Sequence, residues 1–451
     1  MKIPLFFERC PTFQSCEEKL RPEFFNEQQQ GCPMNAIQSG KGFVDLFPPQ
    51  SDIFTAIEQR ARTVFARFAC KELRTPIIEF TELFVRGIGD DTDVVQKEMY
   101  TFLDRKNRSM TLRPEATAGV LRACIQHKLF HPDAVSKFFT IGPMFRYERP
   151  QKGRQRQFHQ INVEVLGSPS YLADVDVLFM LHAFLSEIGL SRLVFELNNL
   201  GCPQCRPAFR RTLDDYFNQL PQTSFCADCQ RRIRTNPLRV LDCKVPACRE
   251  ITRDAPSIAD HVCSLCKLHF DQVLALLDES GLETRLNPFL VRGLDYYQGT
   301  TFEVVSTDIG AQSSVAGGGR YDGLVRLLGG PDIPGIGFAC GMERLAMLVP
   351  GNQDPALDAF LAVKNEQSLS KAVILAHTLR TSGFCIELPF EYRSIKSQLR
   401  TANKLNARTC IILDDEPGIY PAILCKNMVT GEQTHCPEDQ LSQYLLTTSR
   451  P

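Results

Sequence analysis

Apolar and polar residues alternate with a period of two on both sides of a loop at 149–156, within the segment 138–167. This alternation is typical of strands with one buried face, so the segment predicts a long antiparallel hairpin. The apolar positions, which predict the core face, are Phe139, Ile141, Phe145, Tyr147, Ile161, Val163 and Val165. The polar positions of the second strand are Gln160, Asn162 and Glu164. They face either solvent, as in an ordinary half-buried sheet, or a binding site.

The segments around this hairpin alternate between helical and extended patterns. Apolar residues recur with a helical period from 53 to about 70, which predicts an amphipathic helix. The stretch ELRTPIIEF predicts a strand, and Pro76 inside it favours an edge position, such as a subunit interface. A second hairpin is predicted in EMYTFLD and SMTLRP, and a helix is predicted to begin at Thr117.

Four regions are predicted from these patterns. Residues 1–40 lack a sustained period and predict a disordered N-terminal extension. The main domain comprises 41–200 and 287–349, where a strand pattern resumes at NPFLVRGLDYYQGTTFEVVS. A helical, cysteine-rich subdomain is predicted as an insertion at 201–286, and short apolar strands alternate with helices in a small α/β domain at 358–451.

Composition narrows the class of protein. The chain has 451 residues, and its 43% apolar and 23% charged composition is ordinary for a globular protein. The net charge of −1 excludes a chain that is basic throughout, so nucleic-acid contact must come from local patches. No apolar run approaches the ~20 residues that a membrane span needs. The apolar patch near the start is too short for a signal peptide, so a cytoplasmic enzyme without a membrane partner is expected.

The inserted segment concentrates cysteines in four closely spaced pairs. This spacing favours metal ligation over disulfides and predicts two structural zinc sites of four thiolates each, with a reduced, metal-free subdomain as the alternative. The predicted ligands are Cys202, Cys205, Cys226, Cys229, Cys243, Cys248, Cys263 and Cys266. The arginines of the same segment are Arg206, Arg210, Arg211, Arg231, Arg232 and Arg234, among others. Their charge fits an arm that contacts nucleic acid and equally fits a solvated helix face.

Two cationic features predict an anion site. The cations in and beside the central loop are Arg146, Arg149, Lys152, Arg154 and Arg156. Guanidinium groups match the oxygens of phosphate, so this loop favours a phosphate-bearing ligand. Farther along, Arg344 lies in the first turn of a predicted helix, where a cation is ordinarily unfavourable. A polyphosphate at that helix terminus explains its position, and an ion pair with Glu343 or with a neighbouring strand is the alternative.

Six motifs occur in order over roughly residues 40–445: TELFVRGIGDDTDVVQKEMYTFLDR, TLRPEATAG, FRYERPQKGRQRQFHQ, LVRGLDYY, AGGGRYDGLV and GFACGMERL. Together they resemble the bacterial type of the histidyl-tRNA synthetase family, within the class II aminoacyl-tRNA synthetases. The resemblance implies an α+β fold with an antiparallel catalytic sheet flanked by helices, a homodimer, and a C-terminal domain that binds the anticodon. It also implies a histidine–tRNA ligase that uses ATP and Mg²⁺, with the histidine-specific tRNA as partner.

The resemblance assigns roles to individual residues. Arg146 corresponds to the arginine at the α-phosphate of ATP, Phe158 to the ring that stacks on adenine, and Arg344 to the arginine at the γ-phosphate. Arg292 corresponds to the arginine between the substrate carboxylate and the α-phosphate. Histidine binding is implied for Glu115, Ala116, Thr117, Arg146, Gln160, Glu164, Arg292, Tyr296 and Tyr297. Among these, Glu164 and Tyr297, supported by Tyr296, match the groups that read the imidazole.

The chemistry agrees with the roles of Arg146, Arg292 and Arg344 as the catalytic residues. A carboxylate that attacks an α-phosphate brings two anions together, and fixed guanidinium groups stabilise the charge of the transition state. A non-catalytic regulatory subunit of histidine biosynthesis is the alternative. Such proteins typically lack the anticodon domain and catalytic arginines, and both have counterparts in this chain, so the ligase is favoured.

Overall fold

The computed structural model describes residues 37–90, 92–131, 134–306, 314–349, 357–414 and 422–449. The first 36 residues of the predicted N-terminal extension lie outside the described residues. The chain divides into two compact units, one that ends at Val349 and one that begins at Pro350. Each unit contains a sheet and helices that share its core, which confirms the expected mixture of α and β structure.

An eight-stranded sheet forms the centre of the first unit. The strands of this unit are β1 (Lys71–Glu72), β2 (Ile78–Phe80), β3 (Tyr100–Leu103), β4 (Ser109–Leu112), β5 (Ser136–Phe145), β6 (Gln157–Leu166), β7 (Leu193–Asn199), β8 (Thr284–Leu286), β9 (Gln298–Ser306), β10 (Ser314–Arg320) and β11 (Gly335–Gly341). The order across the large sheet is β1-β5-β6-β11-β10-β9-β7-β8, and the six inner strands are antiparallel. The predicted central hairpin is confirmed as β5–β6, and β6 also pairs with β11, so the hairpin lies inside the sheet.

Helices cover one face of this sheet. The helices of the first unit are α1 (Gln50–Arg67), α2 (Thr81–Ile88), α3 (Thr117–His127), α4 (Tyr171–Glu187), α5 (Arg206–Asn218), α6 (Ala227–Thr235), α7 (Pro246–Ile251), α8 (Ser264–Glu279), α9 (Leu324–Leu327) and α10 (Met342–Ala346). Helices α1 and α4 share one core with the apolar face of β5 and β6. The buried residues of α1 are Phe54, Ile57, Ala61, Val64 and Phe65, as its period predicts.

One predicted core position of the hairpin is wrong. Tyr147 is 55% exposed because β5 ends at Phe145, so the alternation does not extend to it. Its ring lies under the guanidinium of Arg156, with Cζ 4.0 Å from the ring centroid. The polar face of β6, in contrast, is covered: Asn162 and Glu164 are each 2% exposed. The interpretation of that face as an ordinary solvated sheet surface is therefore wrong.

A separate three-stranded sheet has the order β2-β4-β3. Pro76 splits the predicted strand ELRTPIIEF into β1 and β2, because a proline cannot continue a ladder of hydrogen bonds. Strand β2 lies at one end of this order, next to β4, which confirms the expected edge position. The exposed large apolar residues of β2 and β3 are Ile78, Phe80, Phe102 and Leu103.

The insertion between β7 and β8 contains α5 to α8 and has its own small apolar core. Phe209, Leu213 and Phe217 of α5 are fully buried, and they pack with residues of α6 and of the turn Pro237–Val240. Several of the cysteines, including Cys229 and Cys248, belong to this core. The insertion is therefore helical, as predicted, and its core depends partly on thiols.

The second unit is a five-stranded sheet with the order β13-β12-β14-β15-β16. Its strands are β12 (Leu357–Val363), β13 (Ile386–Glu387), β14 (Ala407–Leu413), β15 (Ala422–Asn427) and β16 (Gln433–Pro437). Its helices are α11 (Ser368–Thr381), α12 (Ile395–Lys404) and α13 (Leu441–Ser449). Strands β12, β13 and β14 are the short apolar strands predicted from the sequence, and they are parallel to one another, whereas the antiparallel β15–β16 hairpin is an addition to that prediction. Among the helices that the structure describes, none combines the length and the apolar composition of a membrane span.

Candidate active site

A cavity of about 800 Å³ lies over the polar face of the central hairpin. It is lined by ten of the residues singled out from the sequence: Glu115, Thr117, Arg146, Phe158, Gln160, Glu164, Arg292, Tyr296, Tyr297 and Arg344. Ala116 differs from these residues because it is buried at the N-terminus of α3 and does not line the cavity. Residues from five separate segments thus converge on one site.

Glu164 is the centre of a buried hydrogen-bond network. The Thr117 hydroxyl donates to its Oε1 atom at 2.6 Å, and the Tyr321 hydroxyl donates to its Oε2 atom. Burial raises the pKa of Glu164 to about 8, and the two hydroxyl groups oppose that shift. Gly337 on the neighbouring strand is required by this packing, because a Cβ atom there would clash with the Glu164 carboxylate.

Tyr321 is a site residue that sequence reasoning missed. It is 1% exposed, it lines the cavity, and its pKa is raised well above the ordinary value by burial. Its hydroxyl therefore stays protonated and donates to Glu164. The available signal was its position next to Arg320, inside the motif AGGGRYDGLV.

Tyr296 and Tyr297 lie beside this network, with ring centroids 4.6 Å apart. The Tyr296 ring also contacts Tyr321, at 5.9 Å between centroids. Burial raises the pKa of both Tyr296 and Tyr297. Both hydroxyl groups therefore stay neutral and can donate hydrogen bonds at physiological pH.

Glu115 is held at the N-terminus of α3. Its carboxylate accepts from the backbone N–H groups of Thr117 at 2.7 Å and Ala118 at 2.8 Å. Burial raises the pKa of Glu115, and these two N–H groups oppose the shift. Nearby, Gln160 Oε1 and Asn162 Nδ2 are buried and have no hydrogen-bond partner among the described residues. A buried polar group without a partner is costly, so these two atoms point to a polar ligand.

Arg292 lies in an irregular loop before β9, where the sequence pattern predicted extended structure. Its guanidinium packs flat against Gly317 of β10, and a Cβ atom at that glycine would lie 2.5 Å from Arg292 Cζ. One end of the guanidinium faces Glu303, with Nη1 3.7 Å from Oε2. Its buried Nε atom has no acceptor among the described residues. The motifs LVRGLDYY and AGGGRYDGLV thus meet at this contact.

Arg146 and Arg344 bring two further cations into the cavity. Arg146 donates through Nε to the Pro114 carbonyl at 2.9 Å, and its Cζ lies 5.4 Å from the centroid of the Phe158 ring. Arg344 donates to the Ser314 carbonyl. Burial, followed by the nearby charge of Arg154, lowers the pKa of Arg344. An anion would relieve this accumulation of positive charge.

Glu343 and the loop cations have structural contacts of their own. Glu343 accepts from the backbone N–H of His159 at 2.8 Å, and no ion pair with Arg344 accompanies it in the described part of the chain, so the pairing with Glu343 is wrong. A contact of Arg344 with a neighbouring strand is present, as its bond to Ser314 of β10. Arg154 pairs with Glu148 at 3.2 Å. Arg154 is therefore a fixed cation beside the cavity, whereas Arg149 and Lys152 of the same loop are exposed.

The eight cysteines of the insertion form two nested clusters. The outer cluster is Cys202, Cys205, Cys263 and Cys266; the inner cluster is Cys226, Cys229, Cys243 and Cys248. Four thiolates around one zinc ion, each about 2.3 Å from it, lie about 3.8 Å from one another. The sulfur atoms of Cys205 and Cys266 are 3.9 Å apart, as are those of Cys226 and Cys243. Both clusters therefore have the dimensions of a tetrahedral zinc site.

Three arginines of the insertion contact the rest of the first unit, whereas Arg210, Arg211 and Arg234 are exposed. Arg231 and Arg232 both pair with Asp93, the former at 3.1 Å. Arg206 donates to the backbone carbonyl of Tyr297, beside the cavity. For Arg206, Arg231 and Arg232 the solvated helix face is wrong, and a contact of the insertion with tRNA stays a prediction.

Comparisons with known proteins identify the family. The profile of the family described as histidyl-tRNA synthetase matches residues 42–204 and 245–345. The histidine–tRNA ligase of Maridesulfovibrio salexigens is 56% identical over 399 residues, which cover 88% of this chain and 97% of the relative. The histidine–tRNA ligase of Nitratidesulfovibrio vulgaris is 54% identical over 413 residues, or 92% of this chain and 99% of the relative.

A solved structure agrees with these relatives. The crystal structure of apo S. aureus histidyl-tRNA synthetase is 35% identical, covers 91% of this chain and 100% of its own, and superposes with a TM-score of 0.76. This likeness confirms the expected class II synthetase fold, and the ligase relatives do not favour the regulatory-subunit alternative. The chain belongs to the histidyl-tRNA synthetase family.

Proposed function

We propose that this cavity activates L-histidine with ATP to give histidyl-adenylate and pyrophosphate, and then transfers histidine to the 3′ end of its tRNA. This is the reaction of a histidine–tRNA ligase. The observation that carries the proposal is the convergence of three arginines with the buried network of Glu164 in one cavity. Such a site pairs a phosphate-binding region with a small, specific polar pocket.

Histidine specificity is proposed to come from Glu164 and the tyrosines beside it. An imidazole ring needs one acceptor and one donor in its plane. Glu164, when ionised, accepts, and the hydroxyl of Tyr297, supported by Tyr296, donates. Amino acids without ring nitrogens would leave these buried groups unpaired, which is a strong basis for rejection.

The ammonium group is proposed to bind between Glu115, Thr117 and Gln160. Gln160 Oε1 has an unfilled acceptor site among the described residues. Both Glu115 oxygens already accept backbone N–H groups, so this residue supplies charge more than a new hydrogen bond. Thr117 donates its proton to Glu164 and keeps its oxygen lone pairs for the ammonium.

Adenylate formation is proposed to depend on Arg146 and Arg292. The histidine carboxylate attacks the α-phosphorus in line with the departing pyrophosphate, and negative charge grows on the phosphoryl oxygens. Arg146 and Arg292 are fixed by Pro114 and Gly317, so they can stabilise that charge without reorganising. No covalent bond between enzyme and substrate is needed.

Binding of ATP is proposed to use Phe158, Arg344 and carboxylates of the cavity. Phe158 stacks on adenine, and Arg344 holds the γ-phosphate beside the N-terminus of α10. ATP enters as its magnesium complex, in which the ion neutralises part of the phosphate charge. Glu148 and Glu303 line the cavity, and carboxylate oxygens are ligands that suit Mg²⁺.

Histidine-dependent exchange of pyrophosphate into ATP tests the activity directly. We expect exchange with histidine and none above background with other amino acids. No exchange with histidine, or equal exchange with several amino acids, would refute the proposed function.

Replacement of Tyr321 by phenylalanine should weaken histidine binding. The change removes the donor to Glu164 Oε2 and leaves a buried acceptor unpaired, so we expect KM for histidine to rise about tenfold or more. The kcat of exchange at saturating histidine should change little. Tyr216→Phe is the matched control, because its hydroxyl donates to the Ile251 carbonyl inside the insertion. An unchanged KM in Tyr321→Phe would contradict the role assigned to this residue.

The domain roles are also part of the proposal. Residues 41–200 and 287–349 form the catalytic domain, 201–286 the insertion, and 358–451 the anticodon-binding domain. A homodimer is proposed through the three-stranded sheet, because β2 exposes Ile78 and Phe80 at a sheet edge. Since tRNA charging serves protein synthesis, the proposed location is the cytoplasm.

The basic face of α12 is the proposed tRNA contact of the second unit. Lys396, Arg400 and Lys404 are exposed at successive turns of this helix, whereas Arg408, which extends the same spacing in the sequence, lies in β14. Replacing the three exposed cations with alanine should raise KM for tRNA severalfold, since a surface with fewer cations attracts the RNA phosphates less strongly. Histidine-dependent exchange should stay within about twofold, because it does not involve tRNA. Equal damage to exchange and to tRNA charging would exclude this surface.

Zinc is proposed at both cysteine clusters. In addition to the sulfur spacing, backbone N–H groups donate to the sulfur atoms: Cys263 to Cys205 at 3.1 Å, and Cys226 to Cys248 at 3.2 Å. Such bonds stabilise thiolates, the form that binds zinc. We expect about two zinc ions per chain in protein purified without chelator. Less than one zinc per chain, measured by atomic emission, would favour the reduced, metal-free subdomain.

A further inference from the structure

We propose that the inner cluster, through its bound metal ion, fixes one wall of the catalytic cavity and thereby sets the affinity for ATP. The inference rests on the proposed histidine activation and adds a positioning role for one particular metal site. It does not extend to the outer cluster.

The first observation is which part of the insertion lines the cavity. Cys226, Asp228, Arg232, Arg239, Cys243 and Lys244 all line it, and all lie between the first and last ligands of the inner cluster. Within the described residues, the ligands of the outer cluster are not part of this lining. A shift of the inner cluster would therefore move the surface that substrate contacts.

The second observation is a set of ion pairs that join the inner cluster to Asp93 and to the segment Val94–Glu98 that follows it. Arg231 and Arg232 of α6 pair with Asp93, and Lys97 pairs with Asp228 at 3.1 Å. Arg231 also donates to Gln96 Oε1 at 2.7 Å. Because Asp228, Arg231 and Arg232 lie on either side of the ligand Cys229, the metal site holds their backbone in place.

This segment in turn positions the phosphate-binding end of the hairpin. The carbonyl oxygen of Glu98 accepts the backbone N–H of Tyr147 at 2.7 Å, and Tyr147 follows Arg146 directly. A continuous path of contacts thus runs from Cys229 through Asp93 and Glu98 to the arginine proposed at the α-phosphate.

A second path reaches Arg292. Arg239 lies in the turn Pro237–Val240, between the ligands Cys229 and Cys243. Its Nη1 atom donates to the backbone carbonyl of Arg292 at 2.6 Å. The inner cluster therefore contacts the loop that carries Arg292 as well as the segment that supports Arg146.

The metal is what gives this wall its rigidity. The apolar core of the insertion is small, and Cys229, Cys243 and Cys248 occupy part of it. Small cores of this kind usually need a metal or a disulfide to persist. Loss of the inner metal should free the residues between Cys229 and Cys243, and with them Arg232 and Arg239.

Matched serine substitutions in the full-length chain test the inference. Cys248→Ser removes an inner ligand that does not itself line the cavity, and Cys263→Ser removes an outer ligand. Each variant should retain about one zinc per chain. In histidine-dependent exchange, Cys248→Ser should raise KM for ATP roughly tenfold or more, because a displacement of the groups that bind ATP weakens binding by about this factor. KM for ATP in Cys263→Ser should stay within about threefold of the unmodified chain.

Asp93→Ala separates positioning from metal binding. This variant should keep about two zinc ions per chain, and yet its KM for ATP should rise as in Cys248→Ser. Asp93 is negatively charged and lines the cavity, so the loss of its charge alone should strengthen ATP binding and lower KM for ATP. A rise of KM for ATP in Asp93→Ala would therefore show that the groups that bind ATP have moved. Direct measurement of ATP binding by calorimetry should show the same order among the variants.

Several results would overturn the inference. The first is an unmodified chain that is active but holds no metal. The second is an equal rise of KM for ATP in Cys248→Ser and Cys263→Ser. The third is a KM for ATP in Asp93→Ala that falls or does not change. Absence of histidine-dependent exchange in the unmodified chain would instead refute the proposed function, so the two failures are distinguishable.

Discussion

Replacing Arg292 with alanine should lower kcat of histidine-dependent exchange by roughly 10²-fold or more, the effect of removing one preorganised donor from a developing anion. The guanidinium is held against Gly317 and keeps a buried Nε atom without an acceptor among the described residues. The fold should survive, because Arg292 lies in a loop outside the sheet. Stopped-flow or isotope-exchange kinetics at saturating histidine and ATP would measure the loss.

Two further variants define the cause of that loss. Gly317→Ala should reproduce much of it, because the added Cβ atom would occupy the position of the Arg292 guanidinium. Arg285→Ala is the matched control: its side chain, on the edge strand β8, is 61% exposed and pairs with Glu196 of the adjacent strand β7. A decrease of less than about fivefold in Arg292→Ala would show that this residue does not stabilise the transition state.

The affinity for histidine should increase as the pH rises from 7 to 8. Burial raises the pKa of Glu164 to about 8, so the empty protein holds a proton on this carboxyl at pH 7. If the imidazole N–H donates to the ionised form, binding requires loss of that proton. The ionised fraction rises about fivefold between pH 7 and pH 8, and KM for histidine should fall by about the same factor. The imidazole of histidine titrates near pH 6.5 and contributes little in this interval.

Glu164→Gln should abolish this pH dependence, because an amide does not titrate. Its KM should be higher at every pH and flat between pH 7 and pH 8. The same raised pKa has a consequence for stability: the unfolded chain releases this proton at lower pH, so the free energy of unfolding of the empty protein should fall as the pH rises through about 8. A KM for histidine that rises with pH in the unmodified chain would contradict the proposed proton release.

Local patterns were sufficient to predict the central hairpin of the catalytic sheet and a helix packed against it. The period of two around the central loop predicted β5–β6, and the helical period predicted the buried face of α1, because both depend on neighbours within a few residues. The same reasoning failed where the chain leaves regular structure. Tyr147 lies beyond the end of β5, and Arg292 lies in a loop whose apolar residues resemble a strand. Tertiary contacts to distant segments decide both positions.

The site itself could be assembled from the sequence only through motifs. Glu164, Arg292 and Arg344 are far apart along the chain, and no local period relates them. Tyr321 was missed because its role depends on one hydrogen bond to Glu164 across the sheet. The nesting of the cysteine clusters was also beyond the sequence, since four similar pairs permit three pairings and only the fold of the insertion selects one.

The pairing of β6 with β11 has a consequence for how the protein is made. Glu164 lies opposite Gly337 in this pairing, although about 170 residues of chain, including the whole insertion, separate the two strands. Contacts between such distant segments form slowly, because a long loop must close first. Until a ribosome has released the chain as far as β11, β6 remains an unpaired edge. We therefore expect nascent chains that end before residue 335 to bind no histidine and to depend on chaperones against aggregation.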